Sequence, residues 1–249
     1  MDLRGRVALV TGASGTLGAA IAHELAHAGA SLALTYESSE ERAQEVAATL
    51  REIGVEVWVG RLDLATADMP AAVVADLQDR FGRLDVVVNN AAWNVGIPFE
   101  DLESLTPEIW DRVHATDLRG PYMLVRAAAA ELRRTRGRVV NIASVAGLHP
   151  EGSSIAYATA KAALIHLTRC LAVALAPEVA VNCVAPGLIE GTRMSARLPD
   201  SVVESVRARA LLGHAASPAD IAAQVLALCR SDSTTGQVVA VDGGLFLHS

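Results

Sequence analysis

The sequence predicts an α/β protein built on a doubly wound, parallel, seven-stranded sheet with helices on both faces. Three observations predict it: short β-branched runs recur along the chain, stretches with helical spacing separate most of them, and the runs are apolar on both sides, as strands covered on both faces must be. The runs are 7–11, 32–36, 55–59, 84–89, 138–142, 179–184 and 237–241, and the helical stretches include 18–28, 40–53, 70–81, 107–134 and 157–175. Parallel crossovers are right-handed and an eight-stranded barrel would need one more strand, so the open sheet is favoured. With 249 residues, 51% of them hydrophobic, the chain can bury about three quarters of its unfolded surface in a single domain spanning 1–249. The stretch 187–212 has no strand signal and opens with a Pro-Gly pair, which marks it as the mobile segment.

A formal net charge of −7 provides no basic field, which argues against nucleic acid as a partner. Cys170, Cys183 and Cys229 are odd in number and lie in apolar stretches, so buried thiols of a reducing compartment are expected, without a disulfide framework. The apolar run 7–10 is too brief for a signal-peptide core or a membrane span, and the reading is a cytoplasmic protein that binds no membrane.

The first strand runs into Thr11, Gly12, Ala13, Ser14, Gly15, Thr16, Leu17 and Gly18, after which an alanine-rich helix begins. Strand, glycine turn and helix form the context a pyrophosphate site requires: glycines let the backbone turn and approach closely, and the free N–H groups of a new helix favour negative charge. The second strand then ends in Tyr36, Glu37, Ser38 and Ser39. An acidic side chain there pairs with ribose hydroxyls and a basic one accepts a 2′-phosphate. Glu37 would repel that phosphate while the serines could donate to it, which leaves NAD(H) and NADP(H) both open.

Tyr157 and Lys161 stand four residues apart in a helical stretch, so they share a face. On spacing alone such a pair is usually a solvated one. The chemical use is specific, however, because an ammonium favours phenolate and brings a phenol that titrates near 10 towards working pH. Ser144 follows the fifth strand at its carboxyl end, where doubly wound sheets bind ligands, and can hydrogen-bond a substrate oxygen.

Taken with Asp63-Leu64, Asn89-Asn90-Ala91-Ala92, Asn141-Ile142-Ala143-Ser144, Pro186-Gly187 and Val241-Asp242-Gly243-Gly244, these residues resemble the single-domain short-chain dehydrogenases/reductases from about Arg6 to Gly244, most closely the 3-oxoacyl-thioester reductases. The resemblance implies a Rossmann sheet, a hydride moved between a nicotinamide and a small carbonyl or secondary alcohol, and a homotetramer. It implies Tyr157 as proton donor or acceptor, Lys161 as its tuner and a ribose ligand, and Ser144 as the substrate's positioner. Asp63 and Leu64 would contact adenine, Asn90 with Ala91 would lie by the cofactor ribose, and Pro186, Gly187 and Ile189 would pack at the nicotinamide. The segment 187–212 would then cover substrate.

Three departures from the family pattern stand out. Thr16 occupies the position of the usual second glycine, with Gly15 just before it, at some cost in backbone freedom. Asp117 replaces an Asn that helps hold a water in the family's proton relay, and its charge would partly offset the effect of Lys161 on Tyr157. Gly191 stands where a Thr is common, leaving Thr192 as the carboxamide contact. Thr16 and Asp117 motivate the alternative of a nucleotide-binding sensor or scaffold with little turnover, against which the intact Ser144, Tyr157 and Lys161 argue.

His23-Glu24-Leu25-Ala26-His27 spells a zinc-protease pattern, but no third ligand follows at a suitable interval and no metal is expected. His149, Trp93 and Met194 are candidate substrate contacts, each with an ordinary packing or loop role as the competing explanation.

Overall fold

The computed structural model describes residues 1–192, 195–197 and 199–247. Seven parallel strands, β1 (Val7–Val10), β2 (Ser31–Tyr36), β3 (Val57–Arg61), β4 (Val86–Asn89), β5 (Arg138–Ile142), β6 (Ala180–Pro186) and β7 (Val238–Val241), lie in the order β3-β2-β1-β4-β5-β6-β7. The order reverses between β1 and β4, and the crevice outside their carboxyl ends is where an open α/β sheet binds ligands.

The strands alternate between two cores. Ala8 and Val10 of β1 and Val86 and Val88 of β4 pack with α1 (Thr16–His27), α2 (Glu40–Glu52) and α8 (Pro218–Arg230). Val7, Leu9 and Val87 face the other way, onto α3 (Met69–Phe81), α5 (Gly120–Thr135) and α6 (Ile155–Leu175). Both faces are thus covered, which is why the strands read as continuous apolar runs rather than alternating ones. β3 begins two residues later than the apolar run, because Gly54 at φ +93° closes the preceding turn and postpones the strand. α6 is long and apolar enough to satisfy a membrane-span criterion by length and composition, yet half of that window is buried inside the fold.

Three expectations need correction or extension. The helix predicted over 107–134 is broken: α4 (Pro107–His114) passes into a π-helical stretch, Ala115–Arg119, before α5 starts. Pro121 lacks an N–H to give to the carbonyl of Asp117, and Gly120 lets the turn press on Leu64, where an added Cβ would come within 2.5 Å of the Leu64 Cβ. Cys170 is exposed, on the outward side of α6, whereas Cys183 and Cys229 are buried and their thiols are pushed up to about 11 and about 12 by burial. Residues 187–212 contain α7 (Asp200–Arg209), which buries no residue of its own and so carries a weak apolar period, whereas α8 opens with a Ser217–Asp220 capping box.

Candidate active site

The glycine turn is held by backbone groups. Gly12 takes φ +66°, and a Cβ there would sit 2.9 Å from the Cα of Ala91, so this position needs glycine twice over. A Cβ on Gly18 would fall 2.4 Å from the Gly12 oxygen and 2.8 Å from Asn90 Nδ2. Asn90 donates Nδ2 to the Thr11 carbonyl at 2.8 Å, and the Thr11 hydroxyl accepts from the backbone N–H of Asn90 and of Ala91 at 2.9 and 3.0 Å. The turn after β1 is therefore fixed to the loop after β4 across the point where strand order reverses. α1 starts at Thr16 with Gly15 as its cap and no side chain on its first N–H groups, while Ser14 and Leu17 flank that opening. An uncapped helix start above a turn that side chains would fill is the cradle a dinucleotide pyrophosphate fits. Thr16 is itself helical and has no positive φ, so the backbone freedom that a glycine would bring is not required there.

At the end of β2, Tyr36 is half-buried, and Glu37 and Ser38 are exposed. Leu64 is buried, and the Asp63 carboxylate is engaged locally, accepting from the Ala65 N–H at 2.9 Å and the Thr66 hydroxyl at 3.2 Å.

The residues predicted to do chemistry lie at the carboxyl end of β5. The Ser154 hydroxyl caps α6 by accepting from the Tyr157 N–H at 3.2 Å, which puts Tyr157 and Lys161 in the first two turns. Gly147 lets the 3-10 turn 145–147 lie against α6, where a Cβ would strike the Lys161 backbone at 2.6 Å. Ser144, just before that turn, accepts the Ala146 N–H at 3.1 Å and is close enough to the Tyr157 phenol to favour its ionised form. Lys161 is 2% exposed and donates to the Ile142 carbonyl at 3.2 Å; its Nζ lies 3.3 Å from Asp117 Oδ2 and 5.4 Å from the centre of the Tyr157 ring. Asp117 is fully buried on the π-helical stretch, with the Trp93 N–H donating to its other oxygen at 2.8 Å. The bulge turns this carboxylate inward.

Burial works against every charge here. It raises the Tyr157 phenol, an effect that Lys161 opposes and Asp117 reinforces. It also raises the Asp117 carboxyl, although Lys161 pulls the other way. Lys161 would be lowered by burial, but the Asp117 carboxylate and the Tyr157 phenol more than offset this and leave it above its ordinary value. A chain of neutral groups runs behind the site: Asn89 Nδ2 donates to Asn141 Oδ1 at 2.8 Å, and Asn141 Nδ2 to Thr168 Oγ1 at 2.9 Å.

Trp93 packs with Tyr157, Val113 and Ala156 at the catalytic end. Pro186 ends β6; Gly187 donates its N–H to Val241 at 3.0 Å, Ile189 bridges Ala216, and the Thr192 hydroxyl is turned to the Ile189 carbonyl at 3.0 Å. His149 stacks on Phe246 at 4.2 Å and lines a cavity of about 450 Å³ whose walls include none of Ser144, Tyr157 or Lys161. Met194 lies outside the described residues. His23 bonds Thr49 at 3.1 Å, and no group of three metal-ligating side chains occurs among the described residues. Thr11 was visible as the head of the glycine motif but not the role of its hydroxyl, and the Ile142 carbonyl carried no signal in the sequence.

The family model described as enoyl-(acyl carrier protein) reductase matches residues 12–246. A 3-oxoacyl-[acyl-carrier-protein] reductase of Aquifex aeolicus is 34% identical over 251 residues, covering 99% of this chain and 99% of its own. Among solved structures, an NAD⁺-bound xylitol dehydrogenase superposes with a TM-score of 0.91 at 27% identity, covering 98% of this chain and all of its own. A blue fluorescent protein from a metagenomic library, in complex with NADPH, superposes with a TM-score of 0.90 at 33% identity, covering 99% of this chain and all of its own. With a glycine cradle, a buried Tyr-Lys pair and relatives of this kind matched end to end, the chain belongs to the short-chain dehydrogenases/reductases and is an NAD(P)-dependent oxidoreductase.

Proposed function

We propose that this enzyme interconverts a carbonyl and a secondary alcohol on a 3-oxoacyl-thioester-like substrate, with Tyr157 exchanging the proton. The observation that carries the reading is the cluster of buried Tyr157 and Lys161 with half-buried Ser144 at the carboxyl end of β5. The nicotinamide supplies or accepts the hydride when bound. Tyr157 Oη gives a proton to the substrate oxygen in reduction and removes one in oxidation. Lys161 favours the phenolate, and Ser144 holds the same oxygen. Asp117 keeps Lys161 charged and in place, so it acts as a positioning residue. Gly12, Ser14, Gly15, Thr16, Leu17 and Gly18 hold the diphosphate, Tyr36, Glu37, Ser38, Asp63, Leu64, Asn90 and Ala91 the adenosine half, and Pro186, Gly187, Ile189 and Thr192 the nicotinamide side. Trp93 borders substrate, and residues 187–212 cover it within one domain that binds both cofactor and substrate. The thioester class is supported by the matching family and the Aquifex relative, both of which are described as acyl-carrier-protein reductases. A cytoplasmic homotetramer free of membrane and nucleic acid fits the acidic charge and the family.

Consumption of reduced nicotinamide with 3-oxoacyl thioesters and a panel of ketones tests the reading. Turnover that Tyr157→Phe abolishes supports it. Tight nucleotide binding without turnover in either direction would leave a sensor of the same fold.

A further inference from the structure

Three charges converge where the adenosine half of a dinucleotide is specified. Glu37 follows β2, and Arg112 reaches it from α4, Nη2 lying 3.3 Å from Glu37 Oε1. Arg61, the last residue of β3 and in register with Tyr36, donates Nε to the Glu37 carbonyl at 3.1 Å. Other carboxylates lie nearby: Glu40 adds to the burial that raises the Tyr36 phenol, Asp63 is engaged with the Ala65 N–H and the Thr66 hydroxyl, and Asp111 lines the same cavity as Arg112. The Arg112 guanidinium also lies 4.5 Å from the centre of the Trp93 ring, and with Asp63 and Arg119 it lines an open cavity of about 710 Å³. Glu37 and Arg112 are 46% and 50% exposed, so their bridge adds little to stability and opens readily. A phosphate is a stronger partner than a carboxylate for the guanidinium fork, because it carries more charge and more acceptor oxygens.

We propose that Arg112 is a cofactor-selectivity residue: it cancels the Glu37 charge and, with Arg61, accepts a 2′-phosphate, so that the site takes NADPH in preference to NADH. The inference rests on the oxidoreductase reading above and sharpens it, since Glu37 alone would favour NADH. α4 is not an element that the strand-end rule inspects, and the fold places the Arg112 guanidinium on the acidic residue that the rule does inspect.

The test is the affinity of the full chain for NADPH and for NADH, read by quenching of tryptophan fluorescence, in the wild type, Arg112→Gln, Glu37→Gln and the double variant. The wild type is expected to bind NADPH more tightly. Arg112→Gln should weaken NADPH by about tenfold, the worth of one charge-assisted contact, and leave NADH nearly unchanged. Glu37→Gln should tighten NADPH, and the double variant should fall between the two single ones. Equal losses for both dinucleotides in Arg112→Gln, or a wild type that prefers NADH, would overturn the proposal while leaving the oxidoreductase reading intact. Failure of every variant and the wild type to bind either dinucleotide would overturn both.

Discussion

At the end of β1, the glycine turn is held by main-chain groups and by the absence of side chains: Gly12 against Ala91, Gly18 against the Gly12 carbonyl, and Thr11 bonded to the loop after β4. Two strands away, at the end of β5, the catalytic cluster is held by buried charge: Lys161 between the Ile142 carbonyl and the Asp117 carboxylate, with the Tyr157 ring alongside. The first region tolerates no added volume at Gly12 or Gly18, and the second tolerates no unbalanced charge. Substitutions should therefore fail differently in the two regions, sterically in one and through protonation in the other.

The largest effect is expected at Tyr157. Tyr157→Phe keeps the ring that packs with Trp93 and Ala156 but removes the proton, so turnover should fall by about 10²–10⁴, the usual worth of general acid–base catalysis, with nucleotide affinity retained. A variant that keeps half the wild-type rate would break the assignment.

Next come the glycines. Gly18→Val forces a side chain into the Gly12 oxygen and Asn90, and should lower stability by about 1–3 kcal/mol, as overpacking does, and abolish nucleotide binding. Gly15→Ala is the sharper companion. The new Cβ meets only the Gly12 oxygen, at 3.4 Å, so the melting temperature should hold while nucleotide affinity falls, because the backbone there serves close approach rather than packing. If both variants melt like the wild type, steric closure is not what holds this region.

In the charged region, Asp117→Asn tests whether the carboxylate is felt at the phenol. Asp117 adds to the burial that already raises Tyr157, and it holds Lys161 up. Removing its charge should lower both groups. Alcohol oxidation needs the phenolate and so rises with pH through the Tyr157 titration; its acidic limb should move to lower pH in the variant. An unmoved limb with reduced kcat would make Asp117 a structural support only.

What could be read from the sequence follows the same division. The seven strands, a sheet covered on both faces and the glycine turn follow from apolar runs and glycine positions, because backbone sterics leave few alternatives at Gly12 and Gly18; the order of the strands does not. The Tyr157–Lys161 face was legible from helical spacing. The π-helical stretch was not: the 3.6-residue pattern continues across 107–134, and only Gly120-Pro121 hinted at a break, so the burial of Asp117 against Lys161 could not be read from spacing. Arg112 was hidden for a related reason. An arginine on a helix reads as solvated until the fold brings Glu37, which lies 75 residues earlier, to meet it. For His149, which sequence position places near substrate, the spacing gave no sign that its ring stacks on Phe246.

The smallest effect is expected where sequence and structure differ about the glycine turn. If Thr16 strained the turn, Thr16→Gly would relieve it and raise both stability and nucleotide affinity. Thr16 is, however, the first residue of α1, with no positive φ to relieve, and the turn's tight contacts belong to Gly12 and Gly18. Glycine there would only add freedom to the unfolded chain and to the helix start, a cost of up to about 1 kcal/mol. The melting temperature should fall slightly and nucleotide affinity stay level. A gain in either would mean that the side chain of Thr16, and not the glycines around it, limits how closely the turn can approach a phosphate.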